Sequence, residues 1–309
     1  MEQRRLGNSG LKVSLLGLGC NDFGLRMDLE ASRRVVHAAL DIGVTLIDTA
    51  DIYGKRGGSE TYIGEILGSR RKDVVLATKF GKPMNDERTL IGGSRRYIMR
   101  AVEDSLRRLR TDWIDLHQMH ELDEGTPIEE TLRALDDLVT AGKVRYIGCS
   151  NFTAWRMVEA QHVARAAGTN AFICCQDRYN LLAREHEADL FPAMRAYGLS
   201  LLPFFPLASG MLTGKYTGGA LPEGSRLTLT RDARFLNEAN LRRVGELSAF
   251  AQERGHNLTE LALSWLAENP LVASIIAGAS KPEQLSTNLA ALGWRLSAED
   301  HAEVDRISR

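Results

Sequence analysis

The sequence is poor in the residues that mark several protein classes. It has four cysteines in 309 residues, Cys174 and Cys175 adjacent and Cys20 and Cys149 far apart. That pattern has no metal-binding spacing and suggests no secreted disulfide framework. An excess of charge of one sign is also missing. A formal charge of -1 gives no electrostatic reason to expect nucleic acid or an acidic membrane surface as a partner. No apolar run approaches membrane-spanning length, and the opening MEQRRLGNSG lacks the apolar core of a signal peptide. The expectation is a reduced, cytoplasmic protein. Monomer and homo-oligomer are both compatible with it.

What is present is an ordinary globular composition, 44% hydrophobic and 26% charged, with no repeat, linker or low-complexity tract. Residues 1–309 read as a single domain. Arg4–Leu6 and Lys12–Leu16 flank Asn8-Ser9-Gly10 as a small hairpin. Short apolar runs then alternate with helical patterns. Strands are expected over Leu15–Leu18, Leu46–Asp48, Val74–Thr78, Ile114–His117, Val144–Cys149, Ala171–Gln176, Ser200–Phe204 and Val272–Ile276. Helices are expected over Leu29–Asp41, Ser59–Leu67, Ser94–Leu109, Ile128–Ala141, Thr153–Ala167, Ala188–Tyr197, Leu258–Glu268 and Pro282–Ala291.

Eight strand-then-helix units fit an α/β fold, a (β/α)8 TIM barrel with an N-terminal hairpin plug. An open doubly wound sheet would favour G-x-G-x-x-G after the first strand, and Gly17–Gly24 lacks that spacing. Two helical patterns, Asn240–Arg254 and Ala298–Ser308, are surplus to the eight units. The long Leu207–Asn237 connection has the length of a functional loop. The basic runs Arg95-Arg96 and Arg107–Arg110 read as the solvated face of an amphipathic helix. Cys174-Cys175, Trp113, Trp155 and Trp265 read as core.

In such barrels the functional groups sit at the carboxyl ends of the strands. The second strand ends at Asp48 with Tyr53 just beyond it, the third at Lys79, and the fourth near His120. The fifth ends at Ser150-Asn151, the sixth at Gln176, and the seventh in Phe204-Phe205-Pro206. A tyrosine, a lysine, a carboxylate and a histidine at one mouth make a plausible proton donor to a carbonyl oxygen. The expectation is that the lysine ammonium lowers the phenol's pKa and the imidazole orients the carbonyl. Such a donor pairs with hydride delivery, which side chains cannot perform, so a nicotinamide cofactor is implied. His117 and His120 raise a metal-dependent hydrolase as a rival. Their odd spacing would turn them to opposite faces of a strand, and no metal site is expected.

The stretches DTADIYG, GGSE, TKFG, SLRRLRTDWIDLHQMH, GKVRYIGCSNF, PLASGMLTGKY and IAGASKPEQLSTNLAAL, in that order, resemble the aldo-keto reductases. The resemblance runs from about Leu15 to Asn288 and extends to potassium-channel β subunits. It implies Tyr53 as general acid, Lys79 and Asp48 as partners that lower its pKa, and His120 as the residue orienting the carbonyl. It further implies Ser150, Asn151 and Gln176 on the nicotinamide carboxamide, with Asp48 nearby, and Phe204 stacked on the ring. Pro206, Leu207, Ser209, Lys215 and Arg226 fall where that family wraps the pyrophosphate. Gly278, Ser280, Lys281, Gln284 and Asn288 fall where it holds the 2'-phosphate and adenine.

Three positions depart from the family's pattern. Phe205 stands for a common serine, Gln284 for an arginine found in some members, and Cys20-Asn21 for a common Thr-Trp. The implied activity is reduction of a small aldehyde or ketone to its alcohol, with NADP(H) preferred and NAD(H) as the alternative. A cofactor-sensing binding protein with little turnover is the alternative function.

Overall fold

In the computed structural model, which describes residues 1–215 and 236–309, the chain opens with an antiparallel hairpin. Strands β1 (Gln3–Arg5) and β2 (Lys12–Ser14) pair in it. Eight parallel strands follow: β3 (Leu16–Gly19), β4 (Leu46–Asp48), β5 (Val75–Phe80), β6 (Ile114–Met119), β7 (Val144–Ser150), β8 (Cys174–Gln176), β9 (Ser200–Leu201) and β10 (Ile275–Gly278). They lie in the order β10-β3-β4-β5-β6-β7-β8-β9. The sheet closes on itself between its two edges. Leu201 donates to Leu271 O (2.7 Å), and Ile276 donates to Pro203 O (3.0 Å). The fold is therefore a (β/α)8 barrel.

The hairpin is a plug, as expected. Leu6 and Val13 pack against the inward side chains Leu46, Ala77, Leu116, Cys174, Leu202 and Ala273 at the amino-terminal end of the barrel. The ring is thus sealed on that side, and only the carboxyl ends of the strands remain open.

Helices α1 (Leu29–Asp41), α2 (Tyr53–Leu67), α3 (Arg95–Leu109), α4 (Ile128–Thr140), α5 (Ala154–Ala167) and α6 (Leu190–Tyr197) cover the outside. So do α7 (Glu238–Glu253), α8 (Leu258–Glu268), α9 (Pro282–Ala290) and α10 (Ala298–Ser308). Of these, α7 and α10 are the two surplus helices. Side-chain caps mark several starts: Asp28 accepts from Ala31 N, and Asn257 and Glu260 form a reciprocal pair at α8.

Four expectations needed adjustment. The seventh strand is only two residues long, because Pro203 and Pro206 cannot donate to a ladder. Helix α2 begins at Tyr53, although Gly54–Gly57 leave helical geometry with positive φ before it resumes. At Gly54 (φ 67°) a Cβ would run into the Phe23 carbonyl and the Ser59 amide, so only glycine fits directly after Tyr53. Trp155 is not core: it is 60% exposed on the first turn of α5, with the Arg156 guanidinium 4.1 Å from its ring. Nor is every basic residue of α3 merely solvated, since Arg108 binds the fully buried Glu60 at 2.6 Å.

Candidate functional site

Side chains alternate faces along a strand, so the inward positions can be followed from plug to mouth. Two residues beyond Leu46, Ala77, Leu116, Cys174 and Leu202 come Asp48, Lys79, Gln118, Gln176 and Phe204. The apolar layer therefore gives way to a polar one within a single repeat of the pleat. Lys79 is fully buried, and its Nζ donates to Asp48 Oδ2 (2.8 Å) and to the Thr49 carbonyl (2.9 Å). The other Asp48 oxygen accepts from Gln176 Nε2 (2.7 Å) and, more weakly, from Gln118 Nε2 (3.4 Å). Gly148 faces inward on β7, and the space its missing side chain leaves is taken by Cys174 Sγ and Gln118 Cγ. A buried ion pair costs desolvation and persists only with its remaining hydrogen bonds satisfied. Here both ions have them.

Tyr53 lies over this pair, with Lys79 Nζ 5.1 Å from its ring centroid. The His120 ring stands edge-on to it, centroids 5.6 Å apart at 87°. These four groups, predicted from the ends of β4, β5 and β6 and the loop after β4, meet at one mouth. The expected lowering of the phenol's pKa is only part of the outcome. Burial outweighs the pull of Lys79 and raises it above the ordinary value, with Asp48 adding to the rise. Tyr53 therefore rests as the protonated phenol.

Burial penalises the Lys79 ammonium, but Asp48 and the Tyr53 hydroxyl more than offset it, so its pKa lies above the usual lysine value. Burial first, then Lys79 and Lys82, holds His120 well below the usual imidazole value, hence neutral. Its Nδ1 is buried without a partner. His117 faces the helices instead, stacked on Phe80 with centroids 4.7 Å apart. The two histidines do not converge, and among the described residues no three His, Cys, Asp or Glu side chains are grouped to hold a metal.

The mouth opens into a cleft of about 810 Å³. One wall carries Ser150, Asn151, Gln176, Phe204, Pro206, Leu207, Ser209 and Lys215. Ser150 Oγ donates to the Gln176 carbonyl (2.7 Å), and Asn151 Nδ2 to the His120 carbonyl (3.0 Å). Phe204 and Phe205 meet edge-to-face. The wall continues through Gly278, Ser280 and Gln284. Lys281, which caps α9, and Asn288, buried beneath it, do not line the cleft. Arg226 lies outside the described residues. The opposite wall is polar: Asn21, Asp22, Arg26, Lys82 and Glu121, with Met27.

The first wall suits a dinucleotide. Ala208, Ser209 and Gly210 have successive positive φ values of 47°, 56° and 98°. The amides of Ala208 and Gly210 close this turn on the Phe205 and Leu207 carbonyls (2.9 and 2.8 Å), and Lys215 brings a cation to the same wall. The start of α9, with Pro282 in its first turn, offers a second positive pole. Here the amides of Ser280 and Lys281 donate to Gln284 Oε1 (2.7 and 3.1 Å).

Gln118 and the Thr49 carbonyl escaped the sequence reading. For Gln118 a signal was available, since it lies two residues before His120 and therefore shares its inward face. For Thr49 none was, because a carbonyl carries no side-chain signature.

The model of the aldo/keto reductase family matches residues 15–309. A probable voltage-gated potassium channel subunit beta of Oryza sativa subsp. japonica is 38% identical over 304 residues, covering 94% of this chain and 91% of that one. An L-glyceraldehyde 3-phosphate reductase of Escherichia coli O157:H7 is 36% identical, covering 99% and 92%. An uncharacterized oxidoreductase, YrpG, of Bacillus subtilis (strain 168) is 37% identical, covering 97% and 93%.

Proposed function

The chain belongs to the aldo/keto reductase family, and on that premise we propose that it reduces small aldehydes or ketones to alcohols with NADPH. Membership makes it an oxidoreductase that works with a nicotinamide cofactor on small carbonyl compounds. The observation that carries the finer reading is the buried Lys79–Asp48 pair beneath Tyr53, with neutral His120 beside it. A channel partner or a bare cofactor sensor needs no such acid.

The residues divide the work as follows. A bound reduced nicotinamide supplies the hydride to the carbonyl carbon. Tyr53 gives its proton to the carbonyl oxygen, which becomes the alcohol, and Lys79 stabilises the phenolate left behind. Asp48 holds the ammonium in place through the 2.8 Å bond, and Gln118 and Gln176 hold Asp48. Neutral His120 points an N–H at the carbonyl oxygen. With Gln176 Nε2 committed to Asp48, its Oε1, together with Ser150 and Asn151, takes the carboxamide. Phe204 forms the platform for the ring.

Pro206, Leu207, Ser209, Lys215 and Arg226 take the pyrophosphate. Gly278, Ser280 and Gln284 take the adenosine end, where the Ser280 and Lys281 amides now bound to Gln284 Oε1 would serve as donors to a 2'-phosphate, while Asn288, off the cleft, would steady α9 from within. The polar wall of Asn21, Asp22, Arg26, Lys82 and Glu121 favours short hydroxylated carbonyls over aromatic ones. All 309 residues act as one catalytic unit. Four free cysteines support a reducing, cytoplasmic setting, and among the described residues no helix is long and apolar enough to cross a membrane.

The test is titration with NADPH and with NADH, read by tryptophan fluorescence, followed by turnover of a hydroxyaldehyde. NADPH binding that exceeds NADH binding, with turnover, supports the whole reading. Equal binding removes the 2'-phosphate role. Tight binding with negligible turnover across many carbonyls favours the second reading, a cofactor-sensing subunit, which the name of the Oryza relative brings forward.

A further inference from the structure

One carboxylate outside the acid-base set ties four strand exits together. Asp177 follows β8 and is 1% exposed. Its Oδ1 accepts the backbone N–H of Asn151 at 2.9 Å, where the β7–β8 ladder has run out. Its own carbonyl accepts the Phe204 amide at 3.0 Å. Asn151 is held at φ 58°, a left-handed conformation that asparagine tolerates better than most residues. From there Asn151 Nδ2 donates to the His120 carbonyl (3.0 Å) and to Ser150 Oγ (2.9 Å). A chain of hydrogen bonds thus runs from the exit of β6 through β7 and β8 to the segment after β9.

We propose that Asp177 is a positioning residue: by holding Asn151 it sets the orientation of His120 and of Ser150, and it holds more firmly as a carboxylate than as a neutral acid. The proposal rests on reading this cleft as a reductase site.

The surroundings of the carboxyl fit such a role. Asp177 Oδ2 is buried without a hydrogen-bond partner. The ionisable side chains around it are the Cys149 thiol on β7 and the Cys174 thiol on β8, both of which feel its charge. Neighbouring Arg178 is engaged by Glu185. Burial pushes the Asp177 pKa up to about 7, against the Asn151 N–H, which lowers it. The ionised form accepts the stronger, charge-assisted bond, so Asn151 is held best above neutrality. The cost runs the other way: a carboxyl whose pKa is raised on folding is penalised once pH exceeds the unfolded value, and the penalty levels off above the folded value.

The test compares wild type, Asp177→Asn and Asp177→Ala between pH 5.5 and 8.5. Asparagine keeps the size and the Oδ1 acceptor but cannot titrate. Wild-type kcat/KM is expected to fall several-fold as pH drops through neutrality, while Asp177→Asn stays flat. Asp177→Ala loses kcat throughout, and asparagine restores most of it. Independently of activity, the Tm advantage of Asp177→Asn over wild type grows from pH 5.5 to 8.5 by about 3 °C or more.

Parallel pH profiles in wild type and Asp177→Asn overturn the pH sensitivity. Wild-type kcat in folded Asp177→Ala overturns the positioning. Should the wild type reduce no carbonyl, the reductase reading falls. Asp177 is then judged by the His120 ring resonances, which Asp177→Ala must shift and Asp177→Asn must leave in place.

Discussion

The layer of side chains next to the hairpin and the layer next to the mouth come from the same strands, two residues apart. Leu46, Ala77, Leu116, Cys174 and Leu202 fill the first with Leu6 and Val13 and leave little to hydrogen-bond beyond the backbone and the Cys174 thiol, which donates weakly to Gln118 Oε1. Asp48, Lys79, Gln118 and Gln176 fill the second with a buried ion pair and its amide partners. The first layer stabilises the barrel by removing apolar surface from water. The second gives up part of that gain to desolvation and receives in return a lysine fixed beneath a tyrosine. Stability and chemistry are therefore separable along a strand, and substitutions can show it.

The largest effect belongs to the polar layer. Lys79→Met leaves the Asp48 carboxylate buried without its counter-ion, which costs about 3–5 kcal/mol. It also removes the charge that receives the phenolate, so carbonyl reduction falls roughly 10²–10⁴-fold. Denaturant unfolding and steady-state turnover measure the two losses. The apolar layer responds differently. Leu116→Ala costs about 2–5 kcal/mol but leaves kcat per folded molecule unchanged, and a matching fall in kcat would break the distinction.

His117 belongs to neither layer and sharpens the contrast, being a polar residue spent on packing. Burial lowers its pKa to about 3. Its neutral form is favoured on folding, so stability is intact above the unfolded value of 6.5 and falls as pH drops toward 3. The slope is about 1.4 kcal/mol per unit. His117→Phe flattens that limb in unfolding curves taken between pH 6.5 and 4.5, with no change in turnover at pH 7. The smallest effect is that of Gln118→Leu. Its 3.4 Å bond to Asp48 is long, and Gln176 and Lys79 remain. A loss of about 0.5–1.5 kcal/mol is expected.

Much of this was legible in the sequence because it follows from periodicity. A strand that ends Leu-Ile-Asp, or Ala-Thr-Lys, presents its polar residue inward at the mouth once the barrel is accepted, so Asp48, Lys79, Gln176 and Phe204 could be placed by counting. The turn of His117 away from His120 followed from the same rule. Gln118 could have been found that way. Other features depend on what packs from a distance. That burial overrides Lys79 at the Tyr53 hydroxyl depends on the number of atoms around it, which no local pattern reports. Asp177 reads as one more polar residue after a strand, and its partner Asn151 follows a different strand. Trp155 shows the reverse failure: an aromatic at the start of a helix reads as core and instead faces solvent beside Arg156.

The most direct test is Tyr53→Phe, assayed together for carbonyl reduction and for nicotinamide cofactor affinity. The mutant should bind cofactor as the wild type does and lose reduction by roughly 10²–10⁴-fold, because only the proton is missing. Undiminished turnover would contradict the assignment of Tyr53 as the acid, and with it the purpose given to the buried pair beneath it.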